Sequence, residues 1–397
     1  MKKILTFFLI LFSTLSFSQK KPSKFIVSYN KNVETYFLAE ILSADHRKVN
    51  KDFEAFKIKE CSTYQPIVKR ALEKYGNLNN SKIAKLTATI NDTLIQKYGI
   101  GNDALMSPLL YHKEFPSSSW NEEYQFNSNS LTKEQNEEVT SLIKNYIVEL
   151  HQFYVQENIA DFFKENQAFY KGGIAEYNNQ IPVGFTSAME KFYGESFDQY
   201  VILISPMMMW PIDGNEGRGI GVDVKQKSGN KSIYEIASPF VKVKEKGQFG
   251  YDNQFQARFL TVHEFGHSFI NKEVYKYKDK LEGFKDLFEK SNLKEVMIKT
   301  GGYGDFQTCV AEHLVRLGEI QTAIIQNDFE RAEMLEAYHR KNNFIFLPRL
   351  EQKLKEYLAN RTQYKTFGDF IPKLLEIFDD TSIEWINDEL NKNKIAL

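Results

Sequence analysis

The amino-acid sequence predicts an α+β protein that is predominantly helical, with a small sheet ahead of its most informative helix. Apolar residues recur at helical spacing over much of the chain, above all from Asn253 to the C-terminus. Of the 397 residues, 42% are hydrophobic and 14% aromatic, which is enough for a substantial core. Short apolar runs that are typical of strands occur at 24–29, 200–204, 219–224 and 232–237.

The balance of charge and the number of cysteines exclude several classes of protein. With 51 Lys and Arg against 52 Asp and Glu, the net charge is −1, so no excess of positive charge indicates nucleic acid or anionic lipid as a partner. Two cysteines, Cys61 and Cys309, are too few for a disulfide framework or for a zinc site made wholly of thiolates. The sequence leaves open whether these two cysteines pair.

The first residues have the organisation of a secretory signal peptide. A basic start at 1–3 is followed by an apolar stretch at 4–12, and small residues at 16–18 precede a cleavage site before Gln19. The apolar stretch is shorter than the ~20 residues that a membrane-spanning helix needs. We therefore expect export to the periplasm or the extracellular space, with no stable membrane insertion after cleavage.

Several helix ends can be predicted from local signals. Thr132 followed by Gln135 is a capping-box pattern and predicts the start of a helix. The pair Gly172-Gly173 predicts the end of that helical region, because glycine is common just past a helix C-terminus. Thr381 with Glu384 predicts the cap of the last helix.

The segment that carries chemistry is His-Glu-Phe-Gly-His at 263–267, inside a run with helical periodicity. Positions i and i+4 lie on one face of a helix, so His263 and His267 can bind one ion. Glu264 is then placed to act as general base on a water molecule, with zinc as Lewis acid. The alternative is that both histidines are satisfied core side chains of a buried helix.

A catalytic zinc site needs a third protein ligand, for which Glu312 is the preferred candidate. It lies in the middle of an apolar helix that Asp305 is expected to cap, and a buried carboxylate requires a cation. Arg316, one turn later, offers a pairing partner instead, and both roles are compatible. Glu273, six residues after His267, is the alternative third ligand.

Two further side chains are candidates for stabilising an oxyanion. His313 is adjacent to Glu312 but points about 100° away around the helix, so it is a poorer ligand that could line the cleft. Tyr303 lies in the Gly-rich loop just before the same helix. For both residues, packing in the core or at the surface is an equally acceptable interpretation.

The order of these segments predicts the organisation of the chain. We expect a signal peptide at 1–18, a mainly helical subdomain at 19–195, a zincin-like metal-binding core at 196–325 and a helical C-terminal region at 326–397. The glycines of 219–224 make this segment the best candidate for an edge strand, where an extended peptide could add by main-chain hydrogen bonds.

The blocks HEFGHSF (263–269) and AEHLVR (311–316) resemble the glutamate-zincin class of zinc metallopeptidases. The resemblance covers roughly residues 200–325 and implies zinc bound by two His and one Glu. Members usually have Asn before the ligand Glu and an acidic residue four positions after it. Ala311 and Arg316 stand there in this chain, which implies different groups around the ligands and a different substrate class.

The whole chain is also similar to an uncharacterised family of exported bacterial proteins, domain of unknown function 4932. The similarity lies in the N-terminal strand with the Val33-Glu34 helix, in HEFGHSF and in EHLVR. It implies a peptidase-like protein and gives no substrate.

The sequence therefore predicts an exported zinc metallopeptidase that acts on a peptide or protein substrate. Two alternatives stay open at this point. One is a non-catalytic binding or scaffold protein on a zincin fold. The other is a metal-dependent hydrolase of non-peptide substrates, such as cell-wall amides.

Overall fold

The computed structural model describes residues 24–121, 123–128, 130–212, 217–225 and 229–395. The predicted signal peptide at 1–18 lies outside the described residues.

The sheet has four strands, and each corresponds to a strand that the sequence predicts. Their spatial order is β1-β2-β4-β3, so β1 and β3 form the two edges. The first three strands in this order are parallel, whereas β3 runs antiparallel to β4. The strands are β1 (Lys24–Ser28), β2 (Gln199–Ile204), β3 (Gly219–Lys225) and β4 (Lys231–Ala237).

Helices cover both faces of this sheet and form two hydrophobic cores, one on each face. The sheet face that carries Val201 and Ile236 packs against helices from the first half of the chain. In the described residues these helices are α1 (Lys31–Ser43), α2 (Lys51–Tyr64), α3 (Pro66–Tyr75), α4 (Lys82–Tyr98), α5 (Met106–Tyr111), α6 (Lys133–Gln156), α7 (Ile159–Glu165) and α8 (Gln167–Gln180), of which α8 extends to the other core. Helix α9 (Phe185–Tyr193) packs in that other core.

The opposite sheet face, with Ile202 and Ile233, packs against helices from the second half of the chain. They carry most of the candidate site residues. In the part of the chain that the structure describes, they are α10 (Gln254–Tyr275), α11 (Lys278–Gly283), α12 (Lys285–Glu289), α13 (Leu293–Gly301), α14 (Phe306–Ile325), α15 (Phe329–Lys341), α16 (Leu347–Ala359), α17 (Phe367–Leu374) and α18 (Ile383–Ile395). The predominantly helical α+β class is thus confirmed.

The glycine pair at 172–173 does not end a helix, since α8 continues to Gln180. A Cβ on Gly172 would lie 2.2 Å from the Phe249 ring, and one on Gly173 would lie 2.8 Å from the Ile204 side chain. Both glycines therefore allow close packing inside the helix, which is a different use of glycine from the predicted helix end.

Two of the predicted caps can be compared directly with the structure. The capping box of Thr132 and Gln135 is present at the start of α6 and confirms that prediction. The cap of α18 lies one residue later than predicted, because the hydroxyl of Ser382 accepts from the backbone N–H of Trp385. The Thr381 hydroxyl donates instead to the carbonyl of Ile377.

The two helices that carry the site, α10 and α14, approach each other closely through small residues. A Cβ on Gly266 would lie 3.1 Å from Val315, and one on Gly318 would lie 1.9 Å from the hydroxyl of Tyr193. The ring of Tyr193 stacks on Phe269 at 4.2 Å between centroids. Glycine at 266 and 318 therefore sets how near α10, α14 and α9 can come.

Both cysteines are buried and free. Cys61 lies in the core built from the first half of the chain, and Cys309 lies in the core on the other face of the sheet. The two cysteines are therefore not paired with each other. Over the described ranges, no helix combines the length and the apolar character required to cross a lipid bilayer.

Candidate metal centre

Helix α10 brings the first two candidate ligands together. Its N-terminus is fixed by Asn253, whose side chain accepts from the backbone N–H of Gln256 at 3.1 Å. One turn separates His263 from His267, and their Nε2 atoms lie 3.1 Å apart. Two nitrogens bound at ~2.0–2.1 Å to one tetrahedral ion would lie about 3.3 Å apart, so this spacing is that of a shared ion.

Helix α14 supplies the third group. It begins after Asp305, whose carboxylate accepts from the backbone N–H of Thr308 at 2.8 Å, the cap expected from the sequence. Glu312 Oε1 lies 3.4 Å from His267 Nε2, and Glu312 Oε2 lies 3.8 Å from His263 Nε2. One ligand atom from each of the three side chains lies within 4.8 Å of the others.

Acceptor oxygens face the outer nitrogens of both imidazoles. His263 Nδ1 lies 2.9 Å from a carboxylate oxygen of Glu319, and His267 Nδ1 lies 3.1 Å from Oδ1 of Asn271. Because both oxygens can only accept, the hydrogen of each neutral ring sits on Nδ1. With this tautomer each Nε2 presents a lone pair to the space between the rings, which is the form in which both histidines can bind one cation.

The Glu312 carboxylate is also placed as a ligand would be. The residue is 6% exposed, and its Oε2 is a buried atom without a hydrogen-bond partner. Burial opposes ionisation, but His267, His263 and Arg316 together hold the pKa of Glu312 below its ordinary value. A buried anion with an oxygen that makes no hydrogen bond has capacity for a metal ion besides the Arg316 guanidinium, which lies 3.7 Å away. The group His263, His267 and Glu312 could thus hold a metal ion.

A buried network that sequence reasoning missed lies behind these ligands and is centred on Glu319. Its carboxylate contacts His263 as described, the Arg316 guanidinium at 2.9 Å and His339 Nε2 at 2.8 Å. Arg316 also lies 3.7 Å from Glu312, so it stands between the two carboxylates. Burial opposes ionisation of Glu319, yet Arg316 and His339 hold its pKa well below the ordinary value. A carboxylate on the outer nitrogen of a ligand histidine fixes the orientation of the ring.

One signal for Glu319 was present in the sequence. Glu319 follows Glu312 by seven residues, which places both on the same face of α14 two turns apart. The acidic residue that the glutamate-zincin resemblance leads one to expect at 316 is replaced by Arg316. The carboxylate that holds His263 lies one turn further along the helix.

Glu264, the predicted general base, lies between α10 and the edge strand β3. A Cβ on Gly219 would lie 2.5 Å from the Glu264 carboxylate, and one on Gly221 would lie 3.1 Å from it. Only glycine leaves room for this side chain, which is 9% exposed. Glu264 therefore faces the edge strand, and its carboxylate acts electrostatically on the neighbouring His263.

The structure confirms that 219–224 lies at a sheet edge. Some backbone N–H and C=O groups of this strand do not point toward β4. The carbonyl of Arg218 accepts from the backbone N–H of Ser238. Hydrogen-bonded positions alternate in an antiparallel pair, so the backbone groups of Gly219, Gly221 and Asp223 point away from β4.

Tyr111 marks where this free edge ends. Its hydroxyl accepts from the backbone N–H of Lys225 at 3.0 Å and lies 3.2 Å from the carbonyl of the same residue. These two contacts occupy the next outward-facing position of β3. The available edge is therefore the stretch from Gly219 to Asp223.

A cleft of about 500 Å³ opens directly on the ligand atoms. It runs between the second half of α10 and the first turns of α14. Its lining is mostly polar and includes His267, Asn271, Tyr275, Gln307, Thr308 and Glu312.

Tyr303 lies at the inner end of the site. Its hydroxyl is 3.5 Å from the Arg316 guanidinium, and it interacts with Glu312. Burial is the main reason that the pKa of Tyr303 is raised, so the phenol keeps its proton at neutral pH. The hydroxyl is accordingly a hydrogen-bond donor beside a candidate ligand.

Two residues predicted from the sequence are not brought to the cluster. His313 is 1% exposed, its Nδ1 donates to the carbonyl of Cys309 at 2.7 Å, and its ring packs against Phe344. Burial lowers the pKa of His313 to about 4, so it is a neutral core histidine, which corrects the expectation that it lines the cleft.

Glu273, the alternative third ligand, faces another part of the molecule. Its carboxylate pairs with Lys276 at 2.6 Å. A Cβ on Gly368 of α17 would lie 2.6 Å from the same carboxylate. Glu273 therefore packs against α17, and the described residues that converge on one point are His263, His267 and Glu312.

Comparison with known proteins places the chain in a family. No curated protein and no solved structure shows significant similarity to it. A family model described as "Domain of unknown function (DUF4932)" matches residues 125–377, which is more than half of the chain and includes every side chain of the cluster. The chain belongs to this family of proteins with a DUF4932 domain.

Proposed function

We propose that this protein is an exported, zinc-dependent metallopeptidase with a zincin-like catalytic core. The observation that carries the proposal is the convergence of two imidazole nitrogens and one buried carboxylate, with Glu264 on the same helix as the two histidines and facing a free strand edge. Two His and one Glu with room for a fourth group is a ligand set of catalytic zinc sites.

The residues have distinct roles in peptide hydrolysis. His263, His267 and Glu312 would hold zinc, which supplies a Lewis acid that polarises the scissile carbonyl and acidifies water. The Glu264 carboxylate accepts the proton of the attacking water and passes it to the nitrogen of the leaving amine. The Tyr303 hydroxyl, which keeps its proton, donates a hydrogen bond to the developing oxyanion.

The free edge of β3 supports a peptide as the substrate. An extended segment can pair with the outward-facing backbone groups between Gly219 and Asp223. This pairing would hold a peptide bond against Glu264, because that side chain fills the space over Gly219 and Gly221. A cell-wall amide without an extended main chain would make less use of this edge.

Export is part of the proposal and is supported by the basic, apolar and small-residue segments of 1–18. Fractionation of the source cells tests it. Detection of a chain starting at Gln19 outside the cytoplasm is the expected result, and a cytoplasmic chain with its first residues intact would contradict it.

The catalytic proposal is tested by metal analysis combined with cleavage assays of wild type and Glu264→Gln. We expect one zinc per chain in both proteins, with cleavage of casein by the wild type only, since the variant retains the ligands and loses the base. Peptidoglycan fragments assayed in parallel identify a cell-wall amidase. A zinc-loaded wild type that cleaves neither substrate would indicate a binding or scaffold protein and overturn the proposal.

A further inference from the structure

We propose that Asp223 selects substrates that carry a Lys or Arg side chain close to the cleaved bond. The proposal rests on the peptidase function proposed above and names the substrate class of the same site. Asp223 is part of β3 and is separated by one residue from Gly221, over which Glu264 lies.

The alternation of side chains along β3 places Asp223 on the face that contains the site. Ile220 and Val222 are buried against the core on the far side of the sheet. Gly219, Gly221 and Asp223 face α10, where the Ser268 hydroxyl donates to the Asp223 carboxylate. The same carboxylate therefore borders the space in which an extended peptide would lie.

The charge of Asp223 has no close partner among the described residues. Asp223 is an exposed position of the strand. No Lys or Arg described by the structure lies within 4.0 Å of its carboxylate. Lys272, His267 and Lys231 act on it at longer range, and the ammonium of Lys272 is held by Glu195 at 2.8 Å. A carboxylate bound by one hydroxyl has capacity for a further donor.

The distance from the reacting centre fixes which substrate positions are affected. Two residues of a strand span roughly 7 Å, so Asp223 lies about two residues along the edge from Gly221 and Glu264. Side chains directly opposite in paired strands have Cβ atoms roughly 5 Å apart, a gap that Lys or Arg can bridge to a carboxylate. The selected cation thus lies within about two residues of the cleaved bond.

Among the residues that the structure describes, the cleft between α10 and α14 contains no carboxylate other than that of Glu312. The cleft between α10 and α14 is lined by uncharged hydrogen-bonding side chains such as Asn271, Gln307 and Thr308, apart from the ligands and Lys272. Acidic groups are concentrated on the β3 side, at Asp223 and Glu264. Complementary charge on that side favours peptides with a positive side chain.

The test is a set of peptides with one common core, in which each position within three residues of the cleaved bond holds Lys, Gln or Glu in turn. Mass spectrometry gives kcat/KM and the cleavage site for each peptide. For the wild type we expect one position where Lys is preferred over Gln by roughly tenfold, the lower range for a hydrogen bond to a charged group. In Asp223→Asn the same comparison should give a ratio near one.

Two control variants separate charge from structure. Ser268→Ala removes the hydrogen bond to Asp223 but keeps its charge, so the preference for Lys should persist. Asp286→Asn neutralises an exposed carboxylate on α12 that pairs with Lys290, so the preference should also persist there.

Two kinds of result would overturn the proposal, and they differ from each other. If the wild type cleaves without preference for Lys at any position, the role of Asp223 is contradicted but the peptidase function is not. A preference for Lys that survives in Asp223→Asn has the same consequence. Absence of zinc-dependent cleavage of every peptide contradicts the peptidase function itself, and the role of Asp223 with it.

Discussion

At the scale of single residues, the candidate ligand His263 contacts a carboxylate that lies outside the cluster of three, that of Glu319. Glu319 accepts from its outer ring nitrogen at 2.9 Å and is itself held by Arg316 and His339. His339 belongs to α15, so the region after residue 326 supplies part of the support of the site. Rigid support of this kind keeps a ligand nitrogen aimed at one point.

We predict that Glu319→Gln weakens zinc binding by about 10- to 100-fold, because the amide no longer fixes the charge and orientation at His263. Competition with a chelator of known affinity measures the effect. Near-UV circular dichroism establishes that the variant is folded.

Glu273→Gln is the matched control for that variant, since Glu273 packs against α17 and lies outside the cluster. Its zinc affinity should equal that of the wild type. Equal affinities for wild type and Glu319→Gln would contradict the role of Glu319, and a large loss in Glu273→Gln would contradict the choice of Glu312.

The candidate ligand residues could be predicted from the sequence, but the contact of His263 with Glu319 could not. His263 and His267 share one face because of helix geometry alone, and Glu312 stands out as an acid in an apolar helix. The contact of His263 with Glu319 joins residues 56 positions apart. It depends on how α10 packs on α14, which local patterns do not contain.

At the scale of elements, the spacing of α10, α14 and α9 is set by glycine. Gly318 of α14 faces the hydroxyl of Tyr193, which is buried and stacked on Phe269. Close packing here holds the helix of Glu312 against the helix of the two histidines.

We predict that Gly318→Ala lowers the free energy of unfolding by about 1–3 kcal/mol, because the added methyl group overlaps Tyr193. In an open helix the same change would stabilise by up to about 1 kcal/mol. Urea denaturation followed by circular dichroism measures the difference.

Gly283→Ala provides the comparison, since Gly283 is also helical and a Cβ added there would meet no atom within 4 Å. It should be neutral or stabilising. If Gly318→Ala behaves like Gly283→Ala, then the close approach of α14 to α9 is not tightly constrained.

Glycine also shows why element boundaries were only partly predictable. The pair at 172–173 has the composition of a helix end, yet its positions are explained by Phe249 and Ile204, which come from distant parts of the chain. Thr132 was predictable because a capping box is complete within four residues. Contacts between residues that are close in space but distant in sequence cannot be predicted from a local sequence pattern.

At the scale of the whole molecule, one buried carboxyl group joins helices α1 and α8 to the end of β2. Glu34 is fully buried and accepts from the Tyr170 hydroxyl at 2.6 Å and from the Ser205 hydroxyl. Burial raises the pKa of Glu34 from 4.5 to about 7. The folded protein therefore binds this proton more tightly than the unfolded chain does.

We predict that Glu34 makes the folded state less stable as pH rises. Its contribution is fully present below about pH 4.5 and is lost through pH 7, by about 3 kcal/mol at 1.36 kcal/mol per pKa unit. In Glu34→Gln this dependence should disappear, so the stability difference between wild type and variant should fall from pH 5 to pH 8. Urea denaturation across this range measures it.

The control for this prediction is Glu73→Gln, which changes an exposed carboxylate of α3. Its stability should follow the wild type at each pH. A difference between wild type and Glu34→Gln that stays constant from pH 5 to pH 8 would show that Glu34 does not couple folding to proton binding.

The sheet shows the limit of sequence prediction for the molecule as a whole. Its four strands were predictable from short apolar runs, but their order was not. Strand β1 pairs with β2 across the whole first group of helices, with Lys24 opposite Gln199. Such a pairing is decided by the burial of both sheet faces together.

Binding of one divalent ion by His263, His267 and Glu312 is the property on which the proposed function depends. Anomalous diffraction at the zinc edge, from crystals of protein purified without added chelator, tests it most directly. We predict one peak about 2.0–2.2 Å from both Nε2 atoms and from a Glu312 oxygen. A zinc-supplemented crystal without a peak there, or with Glu312 turned away from the peak, would contradict such binding.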